Sequence, residues 1–318
     1  MRRRDYLWTI AAPALLALGT PRLARAQTLE KLRNAGPLTE DITNLYWAIK
    51  TGLCQRNGID LELVAVNSGT AAMTAVVSGA YELSRTSLPG LFAAHLRDIP
   101  VVIVCPGLLS RASNPFSSLQ VAPDAPFRTG ADLNGKTIGV PALNDLNSLA
   151  TKAWIDKNGG NWRSLKFVEI PNSAMEAAIV GKRIDAGILQ SPQFGESVAA
   201  GRTRTLGDGW GAIAPTFMAG AFLARTDWAN AHADLLHRYY RVYAESANYV
   251  NTHYPETASL VAEFTKTEVA SVAKMARGFN ATSMDLATIQ PFIDASAKYE
   301  HIPHSFPARE LIWEGFRP

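Results

Sequence analysis

Two cysteines, Cys54 and Cys105, are all that this 318-residue chain carries. So few exclude a disulfide framework and a Cys-built metal knot. Both stand in apolar surroundings, which favours two buried free thiols over a bridge, although an oxidising compartment would permit pairing. No G-x-S-x-G elbow, P-loop or dinucleotide turn appears, so the common signatures of acyl transfer and nucleotide binding are absent. The six histidines are scattered, and no acid–base pair clusters in the sequence. His301-Ile-Pro-His304 has a spacing found in metal sites but lacks a full ligand set, so no metal is expected.

A basic excess is also missing once the start of the chain is set aside. MRRRDYLWTIAAPALLALGTPRLARA combines a basic start, an apolar stretch from Leu7 to Leu18 and a small-x-small site at Ala24-Arg25-Ala26. That is the layout of an export signal of twin-arginine-like type, cleaved after Ala26. Its apolar stretch is short for a bilayer span. Removing its five Arg and one Asp takes 31 basic and 28 acidic side chains to 26 and 27. A chain so balanced shows no basic patch for nucleic acid.

What is present is alternation. Apolar runs at 61–66, 81–85, 100–105, 136–140, 165–170 and 183–189 read as strands, with helical patterns between them. This predicts βαβ units around mostly parallel sheets, an α/β fold. Gly58, Gly79, Gly159 and Gly181 fall where left-handed residues would close helices. From Thr226 onward the pattern is almost wholly helical, without a clear strand. LQVAPDAPFRTGADLNG and GAIAPTFMAGAFLAR read as two crossings between lobes. The expected division is 27–120 with 221–318 as one discontinuous lobe, and 121–220 as the other.

One unit occurs twice. NSGTAAMTAVVSGAYEL from Asn67 follows LELVAV, and NSAMEAAIVGKRIDAGI from Asn172 follows LKFVEI. In a parallel sheet, ligands bind beyond the carboxyl ends of strands, where helices begin and present free N–H groups. Ser68, Gly69 and Thr70 occupy that place in one copy and Asn172 in the other. Ser173 and Glu176 have the spacing of a capping box. Arg85 ends a strand beside Ser68, with Thr86 next; its guanidinium could grip a carboxylate or sulfonate through two parallel hydrogen bonds. A solvated Arg paired with a surface acid is the alternative. Asn144 and Asp145 open the helix after KTIGVPA, and Gln190 and Ser191 stand where Arg85 and Thr86 stand in the first copy. Thr39, Thr43 and Asn44 precede another helical pattern. Tyr46, Trp47 and Trp210 offer flat surfaces for stacking.

GADLNGKTIGVPALNDLNSLATKAWIDKNGG from Gly130 and the first repeat resemble periplasmic solute-binding proteins of the type II fold. Within them, the likeness is to the binders of aliphatic sulfonate, nitrate, taurine and the thiamine pyrimidine precursor. The Arg in Glu82-Leu83-Ser84-Arg85-Thr86-Ser87 departs from the family pattern, where that strand ends in small residues. The resemblance implies two lobes that close on a small organic solute, an anion or a heteroaromatic. It further implies a monomer without cofactor or catalytic residue, delivering its ligand to the permease of an ABC importer. An enzyme on the same two-lobed fold, or an exported sensing module, is the alternative.

Overall fold

Every apolar run named above becomes a strand, and the strands assemble into two five-stranded sheets. The computed structural model describes residues 28–316 apart from 67, 192, 267, 274 and 275. The expected signal and Asn67 of the first Asn-Ser pair therefore lie outside the described residues.

The first sheet has the strand order Ile59–Ala65, Glu30–Gly36, Leu83–Ser87, Gly220–Arg225, Val101–Pro106. The second runs Arg204–Gly207, Ser117–Val121, Ala186–Gln190, Thr137–Val140, Lys166–Glu169. In each, four of the five strands point the same way. The reversed strands are Gly220–Arg225 in the first sheet and Ser117–Val121 in the second. Each follows a crossing: the chain leaves the first sheet at Pro106 and enters the second at Ser117, then returns from Gly207 to Gly220. The two crossing segments pair antiparallel through Leu108–Arg111 and Thr216–Met218, and Phe279–Asn280 adds a third short strand.

The first crossing thus falls ahead of the stretch 119–135 expected from its prolines. Polar residues hid the strand Ser117–Val121, which is buried at every position. Two of its three polar side chains find partners on the neighbouring strand: Gln120 Nε2 donates to Thr205 Oγ1 at 3.0 Å, and Ser118 Oγ to the Gly207 carbonyl at 3.0 Å, while the Ser117 hydroxyl is buried without one. The last part of the second expected crossing is likewise strand, Gly220–Arg225.

Gly58, Gly79 and Gly159 take the left-handed conformation, with φ of 72°, 77° and 79°. Gly181 does not; its φ is −75° and Lys182 turns the chain instead, at φ 53°. The tail is helical as read, over Ala233–Thr252, Tyr254–Thr265 and Leu286–Lys298. The last of these helices reaches both halves of the molecule. Phe292 meets Phe92 edge-on at 5.3 Å, while Lys298 Nζ pairs with Asp156 on the helix Leu146–Lys157 at 2.8 Å. Cys54 and Cys105 are both free and fully buried, in the core beneath the first sheet.

Candidate ligand-binding cleft

The strand Ile59–Ala65 runs into Ser68, whose extended backbone (φ −156°, ψ 160°) stops it and caps the helix Gly69–Val77. Ser68 Oγ accepts from Ala71 N at 3.2 Å, leaving the Gly69 and Thr70 N–H groups at the helix tip outside that cap. Helix and neighbouring strand meet closely here. A Cβ on Gly69 would stand 2.2 Å from Thr86 Oγ1, so only glycine lets this helix start lie against the strand end.

The second copy begins differently. The helix Asn172–Val180 follows Pro171 and has no side-chain cap. Ser173 lies inside the helix, so the expected Ser173–Glu176 capping box is absent. Glu176 instead pairs with Arg202 at 2.6 Å. A reciprocal box forms one helix earlier. Asp145 Oδ1 accepts from Ser148 N at 2.9 Å, and Ser148 Oγ accepts from Asp145 N at 3.2 Å. Burial pushes the Asp145 carboxyl up to about 6, against the opposing hydrogen bonds from Ser148 and Asn147.

All three helix starts open onto one cavity of about 180 Å³. Ser68, Gly69 and Thr70 line it from the first sheet's side, with Arg85 and Thr86 from the end of the strand Leu83–Ser87. Asp145, Asn172 and Gln190 line it from the second sheet's side. Trp210 supplies an apolar wall with Phe116, their ring centroids 5.9 Å apart, and donates Nε1 to Asn147 Oδ1 at 3.0 Å.

Six residues singled out in the sequence stand elsewhere. Thr43 and Asn44 are buried in the helix Thr43–Lys50; the Thr43 hydroxyl donates back to the Glu40 carbonyl. A short 3-10 turn, Glu40–Ile42, precedes that helix and moves the chain's approach to the cavity back to Thr39 and Asp41. Asn144 is exposed outside the lining. Ser191 turns away and donates to the Ala276 carbonyl at 2.8 Å. Tyr46 and Trp47 do not line the cavity either; they stack on Phe264 at 4.2 Å and on Tyr249 at 4.4 Å.

Arg85 is neither solvated nor free. Its side chain is 12% exposed and pairs at 2.6 Å with Asp41, which is 3% exposed. Its other terminal nitrogen donates to Thr39 Oγ1 and to the Pro37 carbonyl at 3.4 Å. Asp41 escaped the sequence reading. The signal for it was Glu40-Asp41 just ahead of a helical pattern, where acids are favoured. Among the described residues, no group of three or more His, Cys, Asp or Glu is placed to hold a metal, and none of their helices is long and apolar enough to cross a membrane. His301 is neutral, its pKa depressed to about 3 by burial and by Lys152 nearby.

Two mostly parallel sheets with helix starts around a shared cavity form the periplasmic-binding-protein fold. Within it, this chain belongs to the NMT1/THI5-like family, whose model matches residues 39–258. The chain is similar to the formylaminopyrimidine-binding protein of Halalkalibacterium halodurans, at 28% identity over 144 residues. That match spans 45% of this chain and 42% of the relative. Among solved structures it resembles the periplasmic aliphatic sulphonate binding protein SsuA of Escherichia coli, at 16% identity and a TM-score of 0.72 over 90% of this chain and 92% of the other. The periplasmic nitrate-binding protein NrtA of Synechocystis superposes with a TM-score of 0.72, at 12% identity over 88% and 84% of the two chains. At such identities the structural likeness speaks for the fold.

Proposed function

We propose that this protein captures a small organic solute in the cleft and delivers it to the permease of an ABC importer. The observation that carries this reading is the convergence of both copies of the repeated unit, through Ser68-Gly69-Thr70 and Asn172, on one cavity. Tips of that kind present backbone N–H groups to a ligand without catalytic chemistry. The relatives named above are binding proteins, and they support capture over turnover.

In this reading the residues around the first sheet, 28–106 with 220–316, form one lobe and 117–207 the other, joined by the paired crossings; the expected boundary at 120 moves back because Ser117–Val121 lies in the second sheet. A ligand that touches both walls stabilises the closed form by the difference in contacts between the two states. The tail contributes on both sides, since Leu286–Lys298 also packs on the second lobe's helix. The sequence pattern supports export to the periplasm with cleavage after Ala26, and the mature protein acts as a monomer.

Mature protein purified from its native periplasm should release a bound solute on unfolding. Returned to refolded protein in excess, that solute should raise the melting temperature, by linkage of binding to folding. Mass spectrometry after prolonged incubation should recover it unchanged. Conversion to a product would instead establish the enzyme alternative.

A further inference from the structure

Among the described residues Arg85 is the only base lining the cavity, and its position at a strand end beside a helix tip is where an anion would be expected. Its two terminal nitrogens already have partners within the chain. One terminal nitrogen lies 2.6 Å from Asp41 Oδ2, and the other donates to Thr39 Oγ1 and the Pro37 carbonyl. Nε has no partner and is buried, so it does not reach the cavity. Thr39 Oγ1 also donates to Asp41 Oδ1 at 2.6 Å, which closes the three side chains into one unit.

Asp41 is almost wholly buried and is held by Thr39 and Arg85, and the backbone beside it is anchored. Its neighbour Glu40 accepts from Gly278 N at 2.7 Å and is paired with Arg277, both side chains being almost wholly buried. An incoming anion would therefore have to share Arg85 with a fixed carboxylate, or leave that carboxylate buried and unpaired. The remaining charge on the lining is Asp145, for which no base comes within ion-pair distance among the described residues. The formal balance of the cavity wall is one base against two acids.

Resting on the reading of this cavity as the ligand cleft, we propose that Asp41 is a specificity-determining residue: by occupying Arg85 it makes the cleft a receptor for uncharged hydrogen-bonding solutes and closes it to sulfonates, carboxylates and nitrate. The helix tips at Gly69 and Asn172 then serve neutral acceptor atoms, Asp145 and Gln190 serve donors, and Trp210 and Phe116 take a flat apolar face. A heteroaromatic with ring acceptors and exocyclic donors has that chemistry.

The test compares wild type with Asp41→Asn, titrated calorimetrically with ethanesulfonate at neutral pH. Wild type should show no binding tighter than about 1 mM. Folded Asp41→Asn, with its guanidinium released, should bind ethanesulfonate at least about tenfold more tightly, the least that a hydrogen bond to a charged group contributes. A folded Asp41→Asn without that gain overturns the proposal. So does wild-type binding of ethanesulfonate in the micromolar range. If Asp41→Asn does not fold, Arg85→Gln decides through thermal shift. The proposal predicts no ethanesulfonate response in either wild type or Arg85→Gln, whereas a response in wild type that this variant abolishes would identify a receptor arginine and overturn it. The natural solute is not needed for any of these arms, so a failure of the capture reading, seen as no recovered solute, is separately visible.

Discussion

Arg277→Ala should destabilise the protein by about 3–5 kcal/mol, the cost of removing one partner from a buried ion pair. Arg277 and Glu40 have side chains only 5% and 1% exposed. Glu40 also accepts from Gly278 N at 2.7 Å, so its carboxylate joins the start of the chain to the tail by two routes. Arg277 in turn donates to the Tyr254 carbonyl at 3.2 Å and to Thr257 Oγ1 at 3.3 Å. Truncation removes all of these and leaves a carboxylate in the core without a counter-charge. For a protein of this size the melting temperature should fall on the order of 10 °C. A double-mutant cycle with Glu40→Gln separates the pair from its surroundings. The double variant should be less damaged than the sum of the singles, because the stranded charge is gone. A loss below about 1 kcal/mol for Arg277→Ala would place the pair in the class of exposed surface bridges and contradict the burial described.

Trp210→Ala should cost a similar amount for a different reason. The indole is 3% exposed and packs against Phe116, and its Nε1 holds Asn147 at 3.0 Å. Large-to-small changes of this kind in a core cost about 3–5 kcal/mol, through lost burial and the void left behind. Trp210→Phe is the informative control. It keeps much of the ring and removes the N–H, so it should lose only about 1 kcal/mol, the net worth of one hydrogen bond. Urea titration of the three proteins reads the difference directly. Equal losses for Phe and Ala would mean that the bond to Asn147, not the packing, holds this wall of the cleft.

Much of this was legible in the sequence because it is local. The strands that cover βαβ units carry continuous apolar runs, and Ser68 announces a helix start by its own side chain. The hidden parts are those that depend on distant residues. Ser117–Val121 reads as polar, and becomes a buried strand only because Thr205 and Gly207 satisfy Gln120 and Ser118 from across the sheet. Glu30–Gly36 carries charges that face Glu62 and Glu82, so its apolar pattern is faint. Arg85 could be placed beside the cleft from its strand, but nothing within that strand shows that Asp41 neutralises it. The Glu40–Arg277 pair spans 237 residues and has no sequence signature at all. Thr43 and Asn44 were misplaced for a smaller reason: the 3-10 turn Glu40–Ile42 shifts the residues that reach the cleft back to Thr39 and Asp41.

The solute recovered from the native protein offers the sharpest test, read by amide hydrogen exchange with and without saturating ligand. If one guest lies between the two repeated helix starts, the amides at Gly69–Thr70 and those at Asn172–Ser173 should slow together, although they belong to opposite walls. Protection confined to one wall, or equal exchange at both with the solute demonstrably bound, would contradict capture between the lobes.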